Sequence, residues 1–284
     1  MAACGLNIPA NGSVSPQQIT ALGATWVRIV ATPEYDLTAY FTTLRTAGIR
    51  VLLVLARESG GDYRLYRDLY STRVDAWQIG NEPDGEGESS WSMTPHEWAS
   101  LGRSVRALMP TALIVGGGLV SGQPSWLTGV DISWADALSF HPYAKNAIRD
   151  DDLPDIFELL EDYKRFGKPL IISEWGWWSD VEHRAVAEVD HTTLWAAETS
   201  EIEAFFYFCH SDRMVTPFGL LRADDTWKDR AYAFRDAASS AIDTGWPLPV
   251  ASPTPPPGSS FDPIRAQLDI IEAASAQIRA LIGG

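Results

Sequence analysis

Gly48-Ile-Arg-Val-Leu-Leu-Val-Leu55 reads as a helix stop followed at once by an uninterrupted apolar run. Glycine there suits the left-handed residue that closes a helix. A short β-rich run without polar alternation suits a parallel strand covered on both faces. The signature recurs in both directions along the chain. Thr25-Trp-Val-Arg-Ile-Val30, Asp75-Ala-Trp-Gln-Ile79, Ala112-Leu-Ile-Val115, Asp136-Ala-Leu-Ser-Phe140, Pro169-Leu-Ile-Ile172 and Ala204-Phe-Phe-Tyr-Phe208 repeat the run, and Gly5-Leu-Asn-Ile8 is a weaker first strand. Gly23 and Gly167 hold the same stop position before a strand. Between the runs lie amphipathic stretches, read as 36–47, 62–70, 151–166, 185–200 and 229–242. Two more open on caps, Ser15-Pro-Gln-Gln18 with proline in the first turn and Thr94-Pro-His-Glu97 with an acid at the capping-box position. Eight strands alternating with helices predict an α/β fold, a closed (β/α)8 barrel over residues 1–245, rather than an open doubly wound sheet. The fifth helical stretch, between Gly118 and Trp134, is short and irregular. Gly116-Gly-Gly118 lacks the spacing and the lysine of a phosphate loop and reads as a tight strand exit.

Beyond Trp246 the character changes. Residues 246–260 form a Pro-rich linker, and 261–284 read as one helix capped by Asp262 with Pro263 in its first turn. Ile264, Leu268, Ile271, Ile278 and Ile282 make an apolar stripe that a lone helix cannot bury. The stripe docks on the barrel, self-associates, or binds another protein; the sequence leaves the three open.

The 284 residues are 45% hydrophobic and carry a formal net charge of −15, which disfavours nucleic-acid and anionic-membrane partners. No apolar run is long enough to cross a membrane, and the N-terminal Met1-Ala-Ala-Cys-Gly does not read as a signal peptide. Cys4 and Cys209 offer neither a disulfide framework nor a clustered metal site. No cofactor motif is present, and the expectation is an apoprotein without metal. Twelve tryptophans in an acidic chain point first to carbohydrate, because indole faces stack on sugar rings.

Three motifs fall at the C-terminal tips of strands, where barrels of this kind build their sites. Trp77-Gln-Ile-Gly-Asn-Glu-Pro-Asp84 puts Glu82 after the fourth strand. Leu170-Ile-Ile-Ser-Glu-Trp-Gly-Trp-Trp178 puts Glu174 at the same level on the seventh. Ser139-Phe-His-Pro-Tyr143 ends the sixth. Barrel closure brings the two glutamates to one rim, and two facing carboxylates are what glycoside hydrolysis requires. Arg28, inside an apolar strand, demands a buried partner.

With these motifs in this order, the chain resembles the large clan of retaining glycoside hydrolases built on (β/α)8 barrels, which includes cellulases, β-mannanases and β-xylosidases. The resemblance covers residues 5–243. It implies Glu82 as acid/base and Glu174 as nucleophile. It further implies Asn81 as a hydrogen-bond partner of the sugar 2-hydroxyl and Arg28 as the group that keeps the nucleophile ionised. Tyr143 would hydrogen-bond Glu174, and His141 would line the cleft beside both acids. The clan's tryptophan after the eighth strand is absent, the chain reading Phe205-Phe-Tyr-Phe-Cys-His210 there. Tyr207, Phe208 or His210, or Trp177 and Trp178 from the seventh loop, are the candidates to replace it, with Trp177 and His210 counted as substrate-binding. The expected activity is endo-hydrolysis of a β-linked polysaccharide, for which an extracellular location follows from the substrate class alone. The alternative is a non-catalytic glycan-binding or structural barrel within a larger assembly.

Overall fold

Eight parallel strands hydrogen-bond in chain order and close on themselves. They are β1 (Ala3–Asn7), β2 (Trp26–Val30), β3 (Arg50–Leu55), β4 (Ala76–Ile79), β5 (Ile114–Leu119), β6 (Ala137–Phe140), β7 (Leu170–Trp175) and β8 (Ile202–Tyr207). Closure is made by β1 on β8, with Leu6 opposite Tyr207. This is a computed structural model describing residues 2–85, 92–120, 124–143, 156–178 and 181–240, all within the unit Met1–Val250. The linker 246–260 and helix 261–284 lie outside the described residues.

Helices follow the strands: α1 (Pro16–Ala21), α2 (Thr38–Thr46), α3 (Tyr63–Tyr70), α4 (Pro95–Leu108), α5 (Ile156–Lys164), α6 (Glu182–Glu198) and α7 (Asp229–Ser240). Among the described residues between β5 and β6, a 3-10 turn, Pro124–Leu127, stands where the other units have a helix, in keeping with the irregular sequence there. Ser15 and Thr94 cap α1 and α4 through reciprocal capping boxes, satisfying otherwise orphaned N–H groups. Gly23, Gly48 and Gly167 take positive φ at the helix exits. No helix among the described residues is long and apolar enough to cross a membrane.

The period of two along each strand explains where the site sits. Ala3, Trp26, Leu52, Ala76, Val115, Ala137, Ile171 and Ala204 form one buried cluster with Leu113 and Phe206, one face of every strand contributing. The other face packs with the helices in the main core. Stepping two residues onward on the inner face, Trp26 leads to Arg28, Ala76 to Gln78, Ala137 to Ser139 and His141, and Ile171 to Ser173. The interior is thus apolar toward the strand starts and polar toward their ends. Trp26 and Trp77 are buried, Trp98 packs edge-on to Trp126 and Trp134, and Trp195 packs on Phe157. These tryptophans are therefore packing residues rather than a carbohydrate surface. Cys4 and Cys209 are free and buried, and burial pushes each thiol up to about 12.

Candidate active site

Glu82 leaves β4 on a backbone that few side chains adopt. Its φ is +50° and that of Gly80 is +90°. A non-glycine residue held in this region costs of order 1–3 kcal/mol and persists only where its surroundings enforce it. Here the Glu82 N–H donates to the Gly118 carbonyl at 2.9 Å, and the Glu82 carbonyl accepts from Gly85 at 3.0 Å. The sharp exit turns the carboxylate toward the axis.

Glu174 arrives from β7 at a register shift between Ile172 and Trp175, and its side chain is 10% exposed. Arg28 Nη1 donates to Glu174 Oε1 at 2.5 Å, and Tyr143 Oη donates to Glu174 Oε2 at 3.2 Å. Burial pushes this carboxyl up, but His141, Arg28 and Tyr143 together outweigh it and hold Glu174 below the usual carboxylate range. Burial and the two nearby carboxylates raise Tyr143 well above the normal phenol value, so it remains a donor.

Arg28 is the hub. Besides Glu174 it donates to Asn7 Oδ1 at 2.6 Å, Asn81 Oδ1 at 2.5 Å and Gln78 Oε1 at 2.8 Å. A buried guanidinium is tolerable only when its donors are satisfied this fully. Its partners are fixed in turn. Asn7 Nδ2 donates to the Ser173 carbonyl at 3.0 Å, and Gln78 Nε2 donates to the Gly80 carbonyl at 2.8 Å. Asn7 and Gln78 escaped the sequence reading, although a polar residue inside an apolar strand run is the signal that marks them.

His141 stands between the two acids. Its Nδ1 lies 3.2 Å from Glu82 Oε1 and its Nε2 lies 3.8 Å from Glu174 Oε1. One ligand atom from each of these three residues falls within 4.8 Å of the other two. That spacing is tight enough for a cation in purely geometric terms, but the Arg28 guanidinium already supplies the positive charge on Glu174.

The sequence places Gly118 in a strand exit, and the structure places it further back. It lies inside β5, at a bulge between Gly117 and Leu119, with φ +79°. A Cβ there would sit 2.7 Å from Gln78 Nε2 and 3.0 Å from His141 Nε2. Gly118 thus leaves the space that lets Gln78 and His141 take their positions. Gly118→Ala is expected to displace both and to lower kcat/KM about 10- to 100-fold, with a strain penalty of about 1–2 kcal/mol in denaturant unfolding. Parent-like turnover would show that His141 does not need this position.

The aromatic candidates separate. Phe208 packs on Phe218 and, at 6.3 Å, edge-on to Tyr143, which places it beside the acids. Tyr207 is fully buried against Trp175 and Phe234, its hydroxyl donating to the Phe218 carbonyl. Trp177 is 9% exposed and packs in the main core, while Trp178 beside it is exposed. His210, buried, lines a separate cavity on the β1–β8 side. Neither Trp177 nor His210 hydrogen-bonds to the two carboxylates among the described contacts. Trp177 lies two residues beyond β7, and its carbonyl accepts from Arg230 Nη1 at 3.2 Å.

No protein-family model matches the chain, and no curated sequence does. Solved structures do match. A GH128 (subgroup I) endo-β-1,3-glucanase from Amycolatopsis mediterranei, in complex with laminarihexaose, aligns with a TM-score of 0.62 at 18% identity, covering 83% of this chain and 99% of that one. A GH128 (subgroup II) endo-β-1,3-glucanase from Pseudomonas viridiflava gives 0.62 at 16%, covering 82% and 96%. A β-glucuronidase from Bacteroides uniformis gives 0.65 at 15%, covering 85% of this chain and 35% of that one. The chain has the closed-barrel fold that these glycoside hydrolases share.

Proposed function

We propose that the protein is a retaining β-glycoside hydrolase that cuts within a β-linked polysaccharide, with a β-1,3-glucan as the first substrate to test. The observation that carries the proposal is the pair Glu82 and Glu174, whose carboxylate oxygens approach within 4.8 Å at the C-terminal rim. Carboxyl groups about 5–5.5 Å apart suit direct attack on the sugar, whereas inversion needs about 6.5–9.5 Å to seat a water between them.

Glu174, held ionised by His141, Arg28 and Tyr143, attacks the anomeric carbon as Glu82 protonates the departing glycosidic oxygen. Glu82, now a carboxylate, takes a proton from water, which attacks the anomeric carbon and releases Glu174. Asn81, its Oδ1 held by Arg28, presents its amide NH2 to the sugar, and Phe208 supplies an apolar face beside Tyr143. The endo-β-1,3-glucanase neighbours, crystallised with laminari-oligosaccharides, favour this substrate class.

The test is a panel of laminarin, mixed-linkage β-glucan, mannan, xylan and galactan, with the anomeric configuration of the first product read by NMR. Release of β-configured oligosaccharides from laminarin is expected. An α-configured first product overturns retention, and no cleavage across the panel overturns the glycosidase reading.

A further inference from the structure

On the β1–β8 side of the rim lies a cavity of about 500 Å³ that contains neither glutamate. Its size falls within the range of small-ligand sites. Pro9, Val14 and Met214 give it apolar wall, and Asn11, Ser13 and Ser211 give it hydroxyl and amide groups. Two features set its charge. His210 lines it, is 3% exposed, has its Nε2 buried without a hydrogen-bond partner among the described residues, and is pushed down to about 4 by burial. Its imidazole is therefore neutral at ordinary pH. Arg213 and Asp225, also on the wall, pair with each other at 2.9 Å. A cavity with a neutral imidazole, a self-compensated ion pair, hydroxyl partners and apolar wall suits an uncharged polyhydroxylated ring.

The same strand ends connect it to the acids. Pro9 lies two residues beyond Asn7, whose side chain binds Arg28 and so Glu174. His210 lies two residues beyond Phe208, and its N–H donates to the Asn7 carbonyl at 3.2 Å. We infer that this cavity is a second carbohydrate site, which takes a neutral sugar unit of the chain whose cleavage occurs at Glu82 and Glu174. The inference rests on the glycosidase reading for the identity of its ligand.

The experiment titrates the full chain, carrying Glu174→Gln, with laminaribiose through laminarihexaose. Affinity is read by calorimetry and the His210 imidazole protons by NMR, assigned with His210→Gln. In parallel, Ser13→Trp, a bulky change at an exposed position on the cavity wall, is compared by kcat/KM on short and long oligosaccharides. A His210 shift on titration is expected. Ser13→Trp is expected to weaken binding of the longer oligosaccharides about tenfold and to lower kcat/KM on long relative to short substrates. Hydrolysis and binding without a His210 shift, and with Ser13→Trp indistinguishable from its parent, overturn the cavity site and leave the glycosidase reading standing. A His210 shift on a protein that cleaves nothing supports the site and overturns the glycosidase reading. Absence of both binding and cleavage overturns both.

Discussion

Glu174→Gln is expected to lower kcat by at least ~10⁴-fold on every substrate, whatever the leaving group, because an amide cannot form the glycosyl intermediate. Glu82→Gln is expected to behave differently, and the difference assigns the two roles. On a polysaccharide, whose leaving oxygen must be protonated, it should lose about 10²–10⁴-fold. On an aryl glycoside with an acidic phenol leaving group, the first step should survive and the second should stall. Stopped-flow measurement should then show a burst of phenol equal to the enzyme concentration, followed by slow turnover. Both variants should melt close to the parent and still bind laminarihexaose. If each single variant hydrolyses as fast as the parent, neither glutamate takes part in the reaction. A burst with Glu174→Gln instead would exchange the two assignments.

The barrel is legible in the sequence because its rules are local. Each strand announces itself through an apolar run such as Ile49–Leu55, and each helix exit through a glycine such as Gly48. The two glutamates are legible because they sit at strand tips beside motifs with a fixed order. What surrounds them is not local. Arg28 reaches Glu174 across 146 residues of chain, and Asn7 reaches the Ser173 carbonyl across 166. No spacing rule within a window of sequence encodes such contacts; barrel closure creates them. Gly118 shows the same limit from the other side, since its importance lies in the side chains of Gln78 and His141 that arrive from other strands. Of the aromatic candidates, Trp177 and Phe208 separate for a related reason. Tryptophan just after a strand that ends in glutamate suggests a sugar platform, yet Trp177 packs in the core, and Phe208, less conspicuous in composition, is the ring beside Tyr143.

Arg28→Met carries the second large effect, and it is expected to change the direction of a pH dependence as well as its size. In the parent, Arg28 is 3% exposed and compensates a Glu174 that is itself almost wholly enclosed. Removing it leaves a buried carboxylate without its cation, which costs about 3–5 kcal/mol of stability. It also lowers kcat/KM about 10²–10³-fold through loss of a charge that supports the reacting group. The sign of the pH effect follows from the folded-state shift. Glu174 in the parent lies below its unfolded value of about 4.3, so its contribution to stability is fully present above that pH and is lost as pH falls through the lower folded value. The acid limb of kcat/KM, which on the proposed mechanism reports ionisation of Glu174 in the free enzyme, is accordingly expected below about 4.3. Without Arg28, burial is opposed only by His141 and Tyr143, and the carboxyl is expected to rise above its unfolded value. The acid limb should then move up, and stability should fall rather than rise as pH increases past about 4.3. Arg28→Lys is not expected to restore the parent, because a single ammonium cannot serve Glu174, Asn7, Asn81 and Gln78 together as the planar fork does. Unfolding by denaturant at pH 3.5, 5 and 7 tests the sign, and a pH–rate profile tests the limb. An Arg28→Met enzyme whose acid limb stays where the parent's lies would mean that Tyr143 and His141 alone keep Glu174 ionised, and that Arg28 serves only to join the strands.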